Sequence, residues 1–314
     1  MPNAVKSRRV AVDTSSVSVD SGQPSPTTEK SPPRAPVDLH PVVLGPGPVA
    51  IALPTVTPPV PPVQPVPPRL TTVALPGVDA AAVAQLAAAG LPAGSVLRAV
   101  SAPRSTAGFS TVGVTWAADG GVAPLAASVR IHSAGRWSAW TDLGGADDVA
   151  PDPGSVDVRG HTVRTGTSPL WAGPSDGVQA RVALTGPGRA PRDLRLDLID
   201  PGTSAADESF GTPSAPPSSA GAVPGTPTII SRAQWGADES MRKGGPSYSA
   251  TIKIGFVHHT DTSNDYTPGQ SASIVRSIYA YHVLSNGWSD IGYNFLVDRY
   301  GQIFEGRYGG WTER

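Results

Sequence analysis

Strict alternation of apolar and polar residues marks the middle of the chain. Val112, Val114 and Trp116 alternate in one run, Val129 and Ile131 in a second, and Val178, Ala180, Val182 and Leu184 in a third. Leu194, Leu196 and Leu198 alternate with Arg195 and Asp197 in a fourth. Side chains two residues apart share a face of a strand, so each run predicts one face on a core and the other in water. Clusters of Gly, Pro and Asp separate the runs, which predicts a small antiparallel β-sandwich or barrel over about residues 95–200. Just upstream, "GVDAAAVAQLAAAGLPAGS" predicts a short helix with Asp79 as N-cap and Gly90 and Pro92 as its stop.

The period changes near the C-terminus. In "TIKIGFVHHT", Ile252, Ile254 and Phe256 fall on one face of a predicted strand. Ile274, Ile278 and Tyr281 then recur at helical spacing, with Ser271 or Ser273 to cap the start and Gly287 placed to end it in the left-handed region. Tyr293, Phe295 and Val297 alternate on the first strand of a predicted hairpin, Arg299, Tyr300 and Gly301 make the turn, and Ile303 opens the return. Strand, helix and hairpin in that order predict a mixed α/β sheet.

Composition divides the chain further. Of the 35 prolines, 17 lie in residues 1–70. "LPTVTPPVPPVQPVPPRL" favours polyproline II and reads as an extended spacer. Ser, Pro, Ala and Gly dominate residues 201–226, a second linker. The expected organisation is therefore a disordered Pro-rich segment (1–70), a β-rich accessory domain (71–200), a flexible linker (201–227) and a C-terminal domain (228–314). A formal net charge of −1 removes any electrostatic argument for nucleic acid or an anionic membrane as partner. No apolar run follows the basic cluster Lys6, Arg8 and Arg9, as a secretory signal would require, and Pro and Gly interrupt the most apolar stretch too often for a membrane-spanning helix. With no cysteine, a metal site within these residues must use His and carboxylates.

Candidate chemistry is sparse. Two of the six histidines, His258 and His259, adjoin at the end of a predicted strand. Neighbouring side chains of a strand point to opposite faces, so the pair is not a chelate and at most one member is a ligand. His282, alone on the predicted helix, reads as a packed, hydrogen-bonded residue. Trp137 and Trp140 in "GRWSAWTDLGG" read either as core and corner packing or as an aromatic surface for a sugar ring.

Taken together, "IISRAQWGAD", "FVHHT", "IYAYHVLSNGWSDIGYNFLVDRYGQIFEGR" and "GGW" resemble the peptidoglycan recognition protein and type 2 N-acetylmuramoyl-L-alanine amidase family over about residues 229–314. The β-rich region before them looks like the accessory segment found upstream in actinobacterial members. The fold that this implies is an α/β mixed-sheet amidase domain, incomplete here, preceded by a β-rich sandwich-like domain. The activity implied is zinc-dependent hydrolysis of the amide between N-acetylmuramic acid and L-alanine in peptidoglycan, outside the cell or at the wall. By position in the motif, His258 corresponds to the first zinc ligand and Tyr293 to the active-site tyrosine, while His259 and His282 match structural positions. Catalytic zinc takes three protein ligands. The family places the other two, a His and a Cys or Asp, downstream of "EGR", and they are expected beyond Arg314. His282 with Asp290 or Asp298 is the substitute set available within the chain. Trp288, Tyr293, Arg307 and Trp311 are the aromatic or polar-tipped residues of the matched block. Of these, Trp288 is expected in the core, and Arg307 to pair with a carboxylate of its own domain or to meet substrate. The alternative function is a non-catalytic peptidoglycan-binding module.

Overall fold

The computed structural model describes residues 8–12, 61–78, 94–120, 122, 124–145, 151, 154–155, 157–211, 227–246, 248, 255–260 and 262–309. The helix expected after Asp79, the strand residues Ile252 and Ile254, and Trp311 lie outside them. Two sheets and one α-helix account for the architecture among the described residues.

The β-rich region is a nine-stranded, wholly antiparallel sheet. Strand β1 (Arg8–Val12) belongs to the other sheet, so this one begins with β2 (Arg69–Ala74) and β3 (Val96–Val100). The long strands β4 (Arg104–Ala117), β5 (Leu125–Ser133) and, after the short β6 (Arg136–Trp137), β7 (Thr141–Leu143) and β8 (Arg164–Gly166), β9 (Leu170–Leu184) form its middle, and β10 (Arg195–Asp200) lies between β2 and β4. Strand β9 is the spine: its first half pairs with β4, its second half with both β3 and β5. Val112, Val114, Trp116, Val129, Ile131, Val178, Val182, Leu196 and Leu198 meet in one core, the face that the alternation predicts.

The other face departs from expectation. Thr111, Gly113 and Thr115 on β4 and Asp197 on β10 are buried rather than in water. The reason is the C-terminal helix, whose Tyr281 and Ala280 pack against Ile199. The Tyr281 hydroxyl donates to the Thr167 carbonyl at 2.8 Å. Gly113 leaves the space for that ring, since a Cβ there would lie 2.4 Å from the Tyr281 hydroxyl oxygen. Buried Asp197 is satisfied by the hydroxyls of Thr72 and Thr115, each donating at 2.8 Å.

Two segments expected to be spacers are partly ordered into this body. Val63 and Val66 donate backbone hydrogen bonds to the carbonyls of Ala233 and Gly236 at 2.9 and 3.0 Å, and β2 starts at Arg69, before the expected boundary at 71. Residues 201–211, placed in the linker by composition, end in a 3₁₀ turn, Asp207–Gly211. Phe210 of that turn is buried in the C-terminal core, and Asp207 pairs with Arg276. An apolar ring and a buried ion pair hold what Pro and Ser content alone marks as loose.

The C-terminal sheet is mixed, in the order β11 (Ile229–Ile230), β14 (Ile303–Glu305), β13 (Phe295–Val297), β1, β12 (Gly255–His258). Strand β11 runs parallel to β14, β13 antiparallel to β14, and β1 parallel to both β13 and β12. Strand β1 thus comes from within the segment expected to be a disordered spacer. Helix α1 (Ser271–Ala280) packs beside this sheet and is buried on every side. It continues through one wide turn, Tyr281–Ser285, and stops at Asn286–Gly287, where Gly287 has φ +80° as its position predicts. Ser271 and Ser273 are not caps. The Ser271 hydroxyl donates to Asp298 at 2.7 Å, and Ser273 accepts from Arg276 at 2.8 Å. The hairpin turn lies where predicted, held by Asp298, whose carboxylate accepts from the backbone N–H of Tyr300 and Gln302. Its first strand, however, starts at Phe295, leaving Tyr293 in the preceding loop.

Candidate functional site

Strand β12 ends at His258, and His259 has already left β geometry. The strand rule that would send the two imidazoles to opposite faces therefore no longer applies. The rings lie side by side, stacked 4.8 Å apart and 9° from parallel. His258 is half-buried, and its Nδ1 is a buried atom with no hydrogen-bond partner among the described residues. The cavity beyond Thr260 and Thr262, bounded by Tyr266, Ser271 and Asp298, holds only about 30 Å³, enough for water and not for a sugar ring.

The other site residues form a second, enclosed group. Tyr293 is 4% exposed and belongs to the C-terminal core with Ile291, Leu296 and Phe304. Its backbone carbonyl accepts from the N–H of Arg307 at 2.7 Å, and Gly306 lies so close that a Cβ would stand 2.2 Å from that oxygen. His282 is 2% exposed, stacks on Trp288 at 4.3 Å and lies 5.6 Å from the Tyr293 ring. Its Nδ1 accepts from the Gly292 N–H at 3.0 Å, so the neutral ring carries its proton on Nε2. Burial pushes its pKa down to about 3: the loss of water around a charged ring outweighs the opposing pull of the Asp157 carboxylate, and the Arg307 charge adds to the lowering. Trp288 is in the core, as expected.

Arg307 finds its carboxylate outside its own domain. Asp157, from the β-rich region, accepts from Arg307 Nη1 at 2.9 Å, from Nη2, and from the hydroxyl of Ser289. Burial raises the Asp157 pKa, but the Arg307 guanidinium and the Ser289 hydroxyl outweigh it and hold the carboxyl below its ordinary range. No local signal in the sequence points to Asp157, which is 150 residues away from its partner.

The carboxylates named as substitutes are engaged elsewhere. Asp290 accepts from Arg232 at 3.2 Å and from the N–H groups of Ile291 and Tyr308. Burial nonetheless raises its pKa, since the Arg232 charge only partly compensates. Asp298 is saturated by Ser271, Gln302 and the turn amides. Among the described residues no group of three or more His, Asp or Glu side chains is placed to hold a metal ion. The structure therefore does not bring His258, Tyr293 and the acidic residues into one centre. Trp137 and Trp140 are in neither core; both lie on the outer side of the β-rich sheet.

Residues 63–216 match the family described as Rv3811 N-terminal galactose-binding domain-like, which covers the antiparallel sheet and the turn that docks onto Arg276. A further stretch is similar to peptidoglycan-recognition proteins. It is 38% identical over 85 residues to peptidoglycan-recognition protein SC2 of Drosophila simulans, covering 27% of this chain and 44% of that protein. It is 36% identical over 92 residues to peptidoglycan recognition protein 1 of Bos taurus, covering 29% of this chain and 46% of the relative. To peptidoglycan-recognition protein LE of Drosophila melanogaster it is 36% identical over 83 residues, 26% of this chain and 23% of that one. The chain thus spans less than half the length of these curated relatives. No solved structure matches it. No helix among the described residues is long and apolar enough to cross a membrane.

Proposed function

We infer that the C-terminal segment acts on peptidoglycan as a zinc-dependent N-acetylmuramoyl-L-alanine amidase, with His258 as the first metal ligand and Tyr293 as the tyrosine of the reacting site. The observation that carries this reading is the orphaned Nδ1 of His258. A buried ring nitrogen left without a partner costs about 1–3 kcal/mol, a cost that a bound metal ion removes. The ordered motif set from Ile229 to Arg307 and the likeness to peptidoglycan-recognition proteins support the same substrate. Zinc supplies Lewis acidity and a bound water that ionises near neutral pH.

The residues present fit one leg of such a site and do not complete it. His258 offers one bond, and His282, Asp290 and Asp298 are committed to Gly292, Arg232 and the hairpin turn. On this reading the remaining ligands lie outside the described residues. This chain's own residues do the positioning. Asp157 and Ser289 hold Arg307, whose N–H holds the carbonyl of Tyr293 and so sets where that loop stands. Since peptidoglycan is outside the membrane, the reading places the protein at the wall or beyond it.

The second reading is a non-catalytic peptidoglycan recogniser, since the relatives are named for recognising peptidoglycan. Zinc titration and muramoyl-peptide hydrolysis separate the two. Residues 1–314 alone are expected to hold less than one tight zinc and to bind purified sacculi. A chain extended by the family's downstream segment is expected to hold one zinc and release stem peptides, and His258→Ala in it to abolish both. Sacculus binding without hydrolysis by the extended chain selects the recogniser, and no binding at all refutes both readings.

A further inference from the structure

The outer side of the β-rich sheet carries a braced aromatic cluster that none of this chemistry uses. His132 on β5 and Trp137 on β6 are directly paired, their rings 5.3 Å apart. His132 Nδ1 hydrogen-bonds to Asp176 at 2.5 Å. Gly177, opposite His132, leaves room for this side chain, because a Cβ there would meet the His132 Cβ at 2.9 Å. The Arg130 guanidinium lies 5.1 Å from the Trp137 ring and 5.7 Å from that of Trp140. Its Nε donates to Gln179 at 2.5 Å, and Gln179 donates in turn to the Ser101 carbonyl at 2.8 Å. Trp140 is further stacked on Arg181 at 4.5 Å. Each indole is thus held by a group that is itself anchored to the sheet, yet Trp137 keeps 38% of its surface in water.

We propose that this face is a carbohydrate-binding platform on which the pyranose ring of a polysaccharide stacks against Trp137, with Trp140 as its second edge. Fixing an exposed indole in advance spares a ligand the entropy of ordering it. The surroundings choose the chemistry. An apolar peptide or lipid lying on Trp137 would also cover Arg130 and the His132–Asp176 pair, and Asp176 is 63% exposed. Taking those charges from water without new partners is costly. A pyranose presents an apolar C–H face to the indole and a rim of hydroxyls to the charged groups, so both are met at once. The platform is independent of His258 and of the amidase reading.

The full chain titrated with cellotetraose, β-1,4-galactotetraose and chitotetraose provides the test, read by the indole N–H signals in NMR. Saturable binding of at least one tetrasaccharide is expected. Trp137→Ala should weaken it at least about tenfold, and Trp137→Phe, which keeps a ring to stack on, within about threefold. Because Trp137 is at the surface, both variants should melt with the parent. Binding should survive His258→Ala, which sets this site apart from the C-terminal one. Failure of all three sugars to bind, or full affinity in Trp137→Ala, overturns the proposal.

Discussion

The β-rich domain and the C-terminal segment bury their apolar residues in opposite ways. Every residue of the β-rich core, from Leu75 to Leu198, comes from that domain's own strands and turns. The C-terminal core borrows Trp171 and Phe210 from upstream, and its helix has no face left for solvent. An amphipathic helix on a small domain normally keeps one side in water. Here the second side is taken by β4, β8 and β10, through Tyr281 against Gly113, Gly166 and Ile199. Dependence therefore runs mainly one way: the β-rich domain is self-sufficient in its core, and the C-terminal segment is completed by its neighbour.

The sharpest way to break this asymmetry is at Arg276. It is buried and donates to Asp207 at 2.6 and 2.9 Å and to the Trp235 carbonyl at 2.8 Å. Arg276→Ala leaves the Asp207 charge buried without its partner and should cost about 3–5 kcal/mol. Hydrogen exchange should show the loss in α1 and β13 and leave β4 and β9 protected; equal loss in both regions would contradict the one-way dependence. Gly113→Ala attacks the same interface from the other side. Its methyl group would overlap the Tyr281 ring, and overpacking of this kind costs about 1–3 kcal/mol, readable as a shifted urea midpoint.

Smaller effects refine the comparison. Asp157→Asn removes the charge that holds Arg307 across the two regions and should cost about 1.5–3 kcal/mol. Because the folded carboxyl of Asp157 titrates below its ordinary range, its contribution is complete at neutral pH. It fades as acid takes the medium below the usual carboxylate range and through the folded value. His282 responds at milder pH. Its folded pKa is pushed down to about 3, so the unfolded chain takes up a proton first as pH falls below about 6.5. Stability should then decline by about 1.4 kcal/mol per pH unit until the folded ring also protonates. Chemical melts from pH 7 to 5 should show that slope in the parent and lose it in His282→Asn.

Some of the site was readable in advance. His282 behaves as a packed residue, Gly287 takes the left-handed conformation its position predicts, φ +80°, and Gly301 lies in the predicted hairpin turn. The histidine pair was harder, because the rule of opposite faces holds only inside a strand and β12 stops at His258. Arg307 has a carboxylate partner, but no pattern near "EGR" says that it is Asp157. Trp137 and Trp140 follow the same logic. Their spacing allows core and corner packing or an exposed aromatic surface, and only the structure leaves both outside the two cores, with Trp137 exposed.

Periodicity and turn chemistry are local, so the amino-acid sequence by itself determined that the alternating runs of the β-rich region become strands, which face of each enters its core, and where the C-terminal helix and hairpin turn lie. Motif order marks His258 and Tyr293 as the candidates on which the proposed site rests. The second face of β4 and β10, the ordering of residues 201–211 and the partners of Arg276 and Arg307 were decided only by tertiary structure. Those features depend on surfaces far apart in the chain, 69 residues for Arg276 with Asp207 and 150 for Arg307 with Asp157, and burial there comes from docking, which no pattern along the chain encodes.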